Sequence, residues 1–69
     1  MLTQRDFSVD DWTCLVVHDP MYTNGTDTNM ISGVVLEVRA DNVLISTENV
    51  VGPNDDLAYQ FEDIHEKVV

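Results

Sequence analysis

The stretch "GVVLEVRADNVLIS", residues 33 to 46, limits what this chain can fold into more than any other feature. Val34, Leu36 and Val38 alternate with Val35, Glu37 and Arg39, and Val43 with Ile45 carries the same two-residue period past "Ala40-Asp41-Asn42". Side chains of an extended strand point to opposite faces in turn, so the pattern predicts two strands that bury Leu36, Val38 and Ile45 on one face. Asp and Asn tolerate the left-handed backbone that tight reversals use, which predicts a β-hairpin with Gly33 marking the start of its first strand. A chain of 69 residues has room for one small domain built around it. Such a domain buries only roughly 60% of the surface its unfolded chain exposes, so a partner or a second copy would be one way to hide the rest.

The other segments are less decided. "LTQRDF" places Thr3 three residues before Asp6, the spacing of a short capped turn. In "DWTCLVVH", Trp12, Cys14 and Val16 share one strand face and Thr13, Leu15 and Val17 the other. Both faces are apolar, and the β-branched Thr13, Val16 and Val17 favour extended backbone over a helix capped by Ser8 and Asp11. Toward the C-terminus, Leu57, Phe61, Ile64 and Val68 are spaced as the stripe of an amphipathic helix over residues 55–67. Against this, Tyr59 and Phe61 alternate with Ala58 and Gln60, so a strand, a single helical turn in "FEDI" and a last strand in "HEKVV" form the leading reading.

Thirteen Asp and Glu against Arg5, Arg39 and Lys67 leave a formal charge of −10. Non-specific binding to DNA or RNA draws on Lys and Arg that replace counterions, so direct nucleic-acid binding is not expected, and anionic membrane surfaces are disfavoured on the same ground. No window approaches the ~18 apolar residues of a membrane span, and the N-terminus does not read as a secretory signal. The expected compartment is the cytoplasm, where the lone Cys14 stays reduced. "Asn24-Gly25-Thr26" fits a glycosylation acceptor but reads better as a tight turn.

The chain carries no recognisable catalytic or cofactor signature, and neither an enzyme nor a metal protein is expected. His18 beside Asp19, and His65 beside Glu66 and near Asp63, are neighbours in sequence. Adjacent strand residues point apart, so neither pair is arranged to chelate. "TNGTDTN" lacks the alternating acids and distal Glu of a calcium loop. Cys14 lies inside a strand and reads as a buried, inert thiol. No nucleophile elbow or glycine-rich phosphate loop occurs, and a chain this small is not expected to enclose a pocket of the usual ~300 Å³ or more.

Taken end to end, "FSVDDWTCLVV", a polar segment, "GVVLEVRADNVLIS", a second loop and "YQFEDIHEKVV" resemble the layout of small SH3-like barrels. In those domains a phrase of the type Phe-x-Val-Gly-Asp-x-Val commonly enters the first strand. Phe7, Val9, Asp11 and Trp12 occupy comparable places, with Asp10 where that phrase has Gly. The resemblance rests on strand spacing and turn placement. It implies a mostly β fold of about five antiparallel strands, with a long loop after the first strand and a short helical turn near the C-terminus.

It also implies a role for "DPMYTNGTDTNMISG", residues 19 to 33, as a long loop folded back at Asn24-Gly25. Binding surfaces concentrate on long loops carried by rigid scaffolds. Met21, Tyr22, Asn24 and Met30 therefore become candidate partner-binding residues, with a satellite core beneath the loop as the other reading of the apolar three. Trp12 and Tyr59 are candidate interface anchors, although the leading reading of Trp12 is as a core residue in a chain so poor in large side chains. The function expected is a protein-interaction module whose partner is another protein or a second copy of itself. The rival is a nucleic-acid mimic, which would array Asp41, Glu48, Asp55, Asp56, Glu62, Asp63 and Glu66 as one ridge to occupy the groove of a DNA- or RNA-handling protein.

Overall fold

The architecture follows from where each extended run finds its neighbour. In the computed structural model, which describes residues 1–18, 28–49 and 51–69, five strands form one antiparallel sheet. They are β1 (Trp12–His18), β2 (Thr28–Val38), β3 (Asn42–Thr47), β4 (Asp55–Gln60) and β5 (Ile64–Lys67), preceded and interrupted by 3-10 turns at Gln4–Asp6 and Phe61–Asp63. The order across the sheet is β4-β3-β2-β1-β5, so the last strand returns to lie beside the first. The sheet does not close into a barrel: β4 and β5 are its two edges.

β2 is the long element, and it corrects two expectations. It starts at Thr28 and pairs with β1 from His18↔Thr28 to Trp12↔Val34, so Gly33 sits inside the strand and does not begin it. The connection after β1 is correspondingly shorter than expected, and its centre, with Asn24-Gly25, lies outside the described residues. At Gly33 the backbones of β2 and β3 approach closely. A Cβ there would overlap the Ser46 carbonyl oxygen and come within 2.9 Å of the Ile45 Cγ2.

The second correction concerns parity. The ladder pairs Val35 with Ile45 but Glu37 with Leu44, leaving Leu36 as a bulge. The bulge shifts the alternation by one residue, so Val35 and Val38 both face the core while Leu36 is 39% exposed. A regular ladder would turn one of the two valines outward. The bulge thus brings Val38, partly buried, to the core beside the fully buried Val35, at the cost of a ladder hydrogen bond worth about 1 kcal/mol. The β2–β3 turn is closed by the Arg39 N–H donating to the Asn42 carbonyl at 2.9 Å. It contains no left-handed residue, contrary to the expectation for Asp41 and Asn42. The neighbouring bulge adds local strand twist that such a turn does not bring.

Among the described non-glycine residues, positive φ occurs only at Asp10, at 76°. Asp10 is the third residue of a turn closed by the Asp11 N–H on the Ser8 carbonyl, and its own N–H donates to Val35 O at 2.8 Å. That position suits glycine, and Asp is among the residues that tolerate it. The expected capped turn at Thr3 is present, with Thr3 Oγ1 and the Asp6 carboxylate each accepting a backbone N–H of the other's end.

The C-terminal segment is strand, turn, strand; the helix over residues 55–67 is not formed. The turn at Phe61–Asp63 resets the alternation, so Phe61 and Ile64 both reach the core while Leu57 is 47% and Val68 48% exposed. Leu15, Val17, Val35, Val43 and Ile45 line the inner face of the sheet. One end is covered by Phe7 stacked on Phe61, ring centroids 5.8 Å apart and nearly parallel. Thr13, also buried, donates its hydroxyl to the Val69 carbonyl at 2.8 Å, which fastens the chain end beside β1.

Two substitutions test this account. Gly33→Ala is expected to lower stability by about 1–3 kcal/mol, because the obstruction is backbone that cannot rotate away. Asp10→Gly is expected to raise it by about 0.5–1 kcal/mol and Asp10→Val to lower it. Urea unfolding midpoints measure both; an unchanged midpoint for Gly33→Ala would remove the close-approach argument.

Candidate functional site

The register places a continuous set of side chains on the outer face of the sheet, opposite the core. Because Leu15, Val17, Val35 and Ile45 point inward, Trp12, Val16, Met30, Val34 and Ser46 point outward. Trp12 pairs with Val34, Val34 with Ser46 and Ser46 with Asp56, which makes one row across four strands. Glu66, Val16 and Met30 form a parallel row four residues along β1, about 13 Å away. Between them Ser32 lies opposite Cys14, and its carbonyl accepts the Glu48 N–H at 2.9 Å.

Trp12 is 47% exposed, so its core reading is overturned. Position decides this: the residue stands at the start of β1 on the face turned away from the core, and Phe7 and Phe61 fill the space a core aromatic would occupy. Its indole Nε1–H donates to Glu48 Oε1 at 2.7 Å, and Ser32 Oγ donates to Glu48 Oε2 at 2.9 Å. Both carboxylate oxygens are thereby oriented, and the indole is held by its edge. Arg5, Arg39 and Lys67 are the chain's three cations; Arg39 pairs with Glu37 at 3.1 Å, and none pairs with Glu48.

The other residues singled out from sequence divide among three places. Met30 shares the outer face and is 62% exposed. Tyr59 sits on the inner side, opposite Val43, and packs half-buried against the core, so it is not brought together with Trp12. Met21, Tyr22 and Asn24 lie outside the described residues. Val34 and Ser32 were not singled out as site residues, and Glu48 was named only for the acidic ridge. A strand valine and a serine carry no local signal, and the carboxylate is 36 residues from the indole it contacts.

The carboxylates named for a ridge lie at separate places. Asn42↔Gln60 and Thr47↔Asp55 end the β3–β4 ladder, so Asp55, Asp56 and Glu48 gather at one end and Asp41 and Glu62 at the other, about 17 Å away. At that second end a groove of about 640 Å³ opens between the N-terminal turn, the β2–β3 turn and Phe61, with Leu2, Arg5, Asp41, Gln60 and Glu62 on its walls. It exceeds the volume expected of so small a chain. It is an exposed depression, formed because the N-terminus lies across the end of the sheet.

Among the described residues no three of His, Cys, Asp and Glu gather as metal ligands. The rings of His18 and His65 meet at 6.0 Å across β1 and β5. Cys14 is buried. No helix of the described residues is long and apolar enough to cross a membrane. Comparison of the chain with family models, curated proteins and solved structures found no match.

The Trp12–Glu48 bond is solvent-exposed, and its net worth is expected at the low end, about 0.5 kcal/mol. A double-mutant cycle with Trp12→Phe and Glu48→Ala checks it; full additivity would mean that the two side chains are not coupled. Cys14 is expected to react with a disulfide reagent in urea and to resist it in buffer, as colorimetric thiol assay will show.

Proposed function

We propose that this chain is a small acidic protein-interaction module, with the outer face of β1 and β2 as its contact surface. The observation that carries the reading is Trp12, left 47% exposed beside Val34 on the outer sheet face in a chain short of large core residues. Scattered apolar surface is ordinary, but tryptophan with flanking aliphatic and Met side chains is the composition of interface centres. Met30 adds a side chain that adapts its shape to a partner. The return of β5 beside β1 supports an SH3-like kinship, and the missing closure between β4 and β5 sets this chain apart from a full barrel. A cytoplasmic location accords with the reading.

Crosslinking of the tagged chain in its native cells, followed by capture, tests it. Trp12→Ala and Met30→Ala are expected to reduce the captured species by at least several-fold, while Glu62→Gln at the far end leaves it unchanged. Captured species indifferent to both substitutions, or none at all, would sink the reading.

A further inference from the structure

The outer face has an apolar centre and acidic flanks. Around Trp12, Val34, Val16 and Met30 the register sets Glu48 and Asp56 on one side and Glu66 on the other. Of the three cations, Arg39 is engaged at the β2–β3 turn, Arg5 lies at the groove and Lys67 opposes the inward-facing Leu15. None of them stands in these rows.

Glu48 gives this face a defined point of attachment. Its carboxylate is oriented by Trp12 and Ser32, each oxygen accepting one of those bonds. An ionised carboxylate offers about four acceptor sites, so two remain for an incoming donor. The indole N–H is already used, so what half-exposed Trp12 offers a ligand is its ring, whose quadrupole attracts a cation. A planar guanidinium can stack on the ring and donate to the adjacent carboxylate at once, which an ammonium does less well. Fixed acceptors lower the ordering cost of binding.

We propose that Trp12 and Glu48 form a binding site for an arginine side chain of a basic partner protein, the guanidinium lying on the indole and bonded to Glu48. The proposal rests on the interaction reading above and names the partner's chemistry. Charge complementarity commits the occupant: a chain of net charge −10 with carboxylates on both flanks of an apolar strip repels a second copy of itself and attracts a basic strip carrying apolar side chains.

Trp12 is the chain's one tryptophan, so its fluorescence reports the site directly. The probe is a short Gly-Ser peptide bearing two arginines, with a control in which glutamines replace them. A saturable change in emission with the arginine peptide and none with the control is expected. Glu48→Gln, which keeps the acceptor for the indole N–H, is expected to weaken binding about tenfold, as loss of a charged hydrogen bond should. Glu62→Gln should change it less than twofold. Equal weakening by the two variants would show diffuse charge attraction and overturn the proposal, as would an equal response to both peptides. If the peptide fails to bind while Trp12→Ala still abolishes protein capture, the arginine site falls and the interaction reading stands.

Discussion

A single sheet of five short strands has to cover its own inner face, and the rest of this structure answers to that constraint. Among the described residues no α-helix lies across the core. Curvature therefore has to come from the strands themselves, and β2 supplies it at two points: Gly33, where only a residue without Cβ lets β3 come so near, and Leu36, where one extra residue twists the ladder. The end left open by the strands is filled by Phe7 and Phe61, which enter from the N-terminal segment and from the turn before β5. Each device brings distant parts of the sequence together, and none would hold without the others.

The outer face is what remains after that solution. Aromatic bulk goes to the phenylalanine pair and aliphatic bulk to the inner side; of the apolar residues with the opposite parity on β1 and β2, Cys14 is buried while Trp12, Met30 and Val34 stay exposed. Trp12 is there because it is one residue before Thr13 in an alternating strand. Its contact with Glu48 follows from Ser32 receiving the Glu48 backbone as the ladder ends. Position and chemistry of the site thus share a cause with the fold.

How much of this was legible depends on the range of the interaction involved. The alternation of residues 33 to 46 marked a hairpin, and the strand, turn, strand order near the C-terminus could be read from Tyr59 and Phe61 despite the competing helical spacing. The two apolar faces of β1 were also readable, but not which of them is inside, since that depends on β2 and β5. The bulge at Leu36 was illegible for the same reason: it expresses a pairing choice between Val35–Ile45 and Val38–Val43, not a local preference. Asp10 is an intermediate case. It stands where the SH3-like phrase has glycine, and its positive φ shows that the backbone requirement is met here by another residue type. Glu48 had no signal beyond its charge.

The two edges of the sheet carry a further consequence. β4 begins with Asp55 and Asp56, and β5 carries Glu66 beside Lys67, so both strand borders open to pairing with another molecule bear charged side chains. Charged side chains at such borders discourage sheet-to-sheet addition. Charge at these borders thus works against growth of the sheet by a strand from outside.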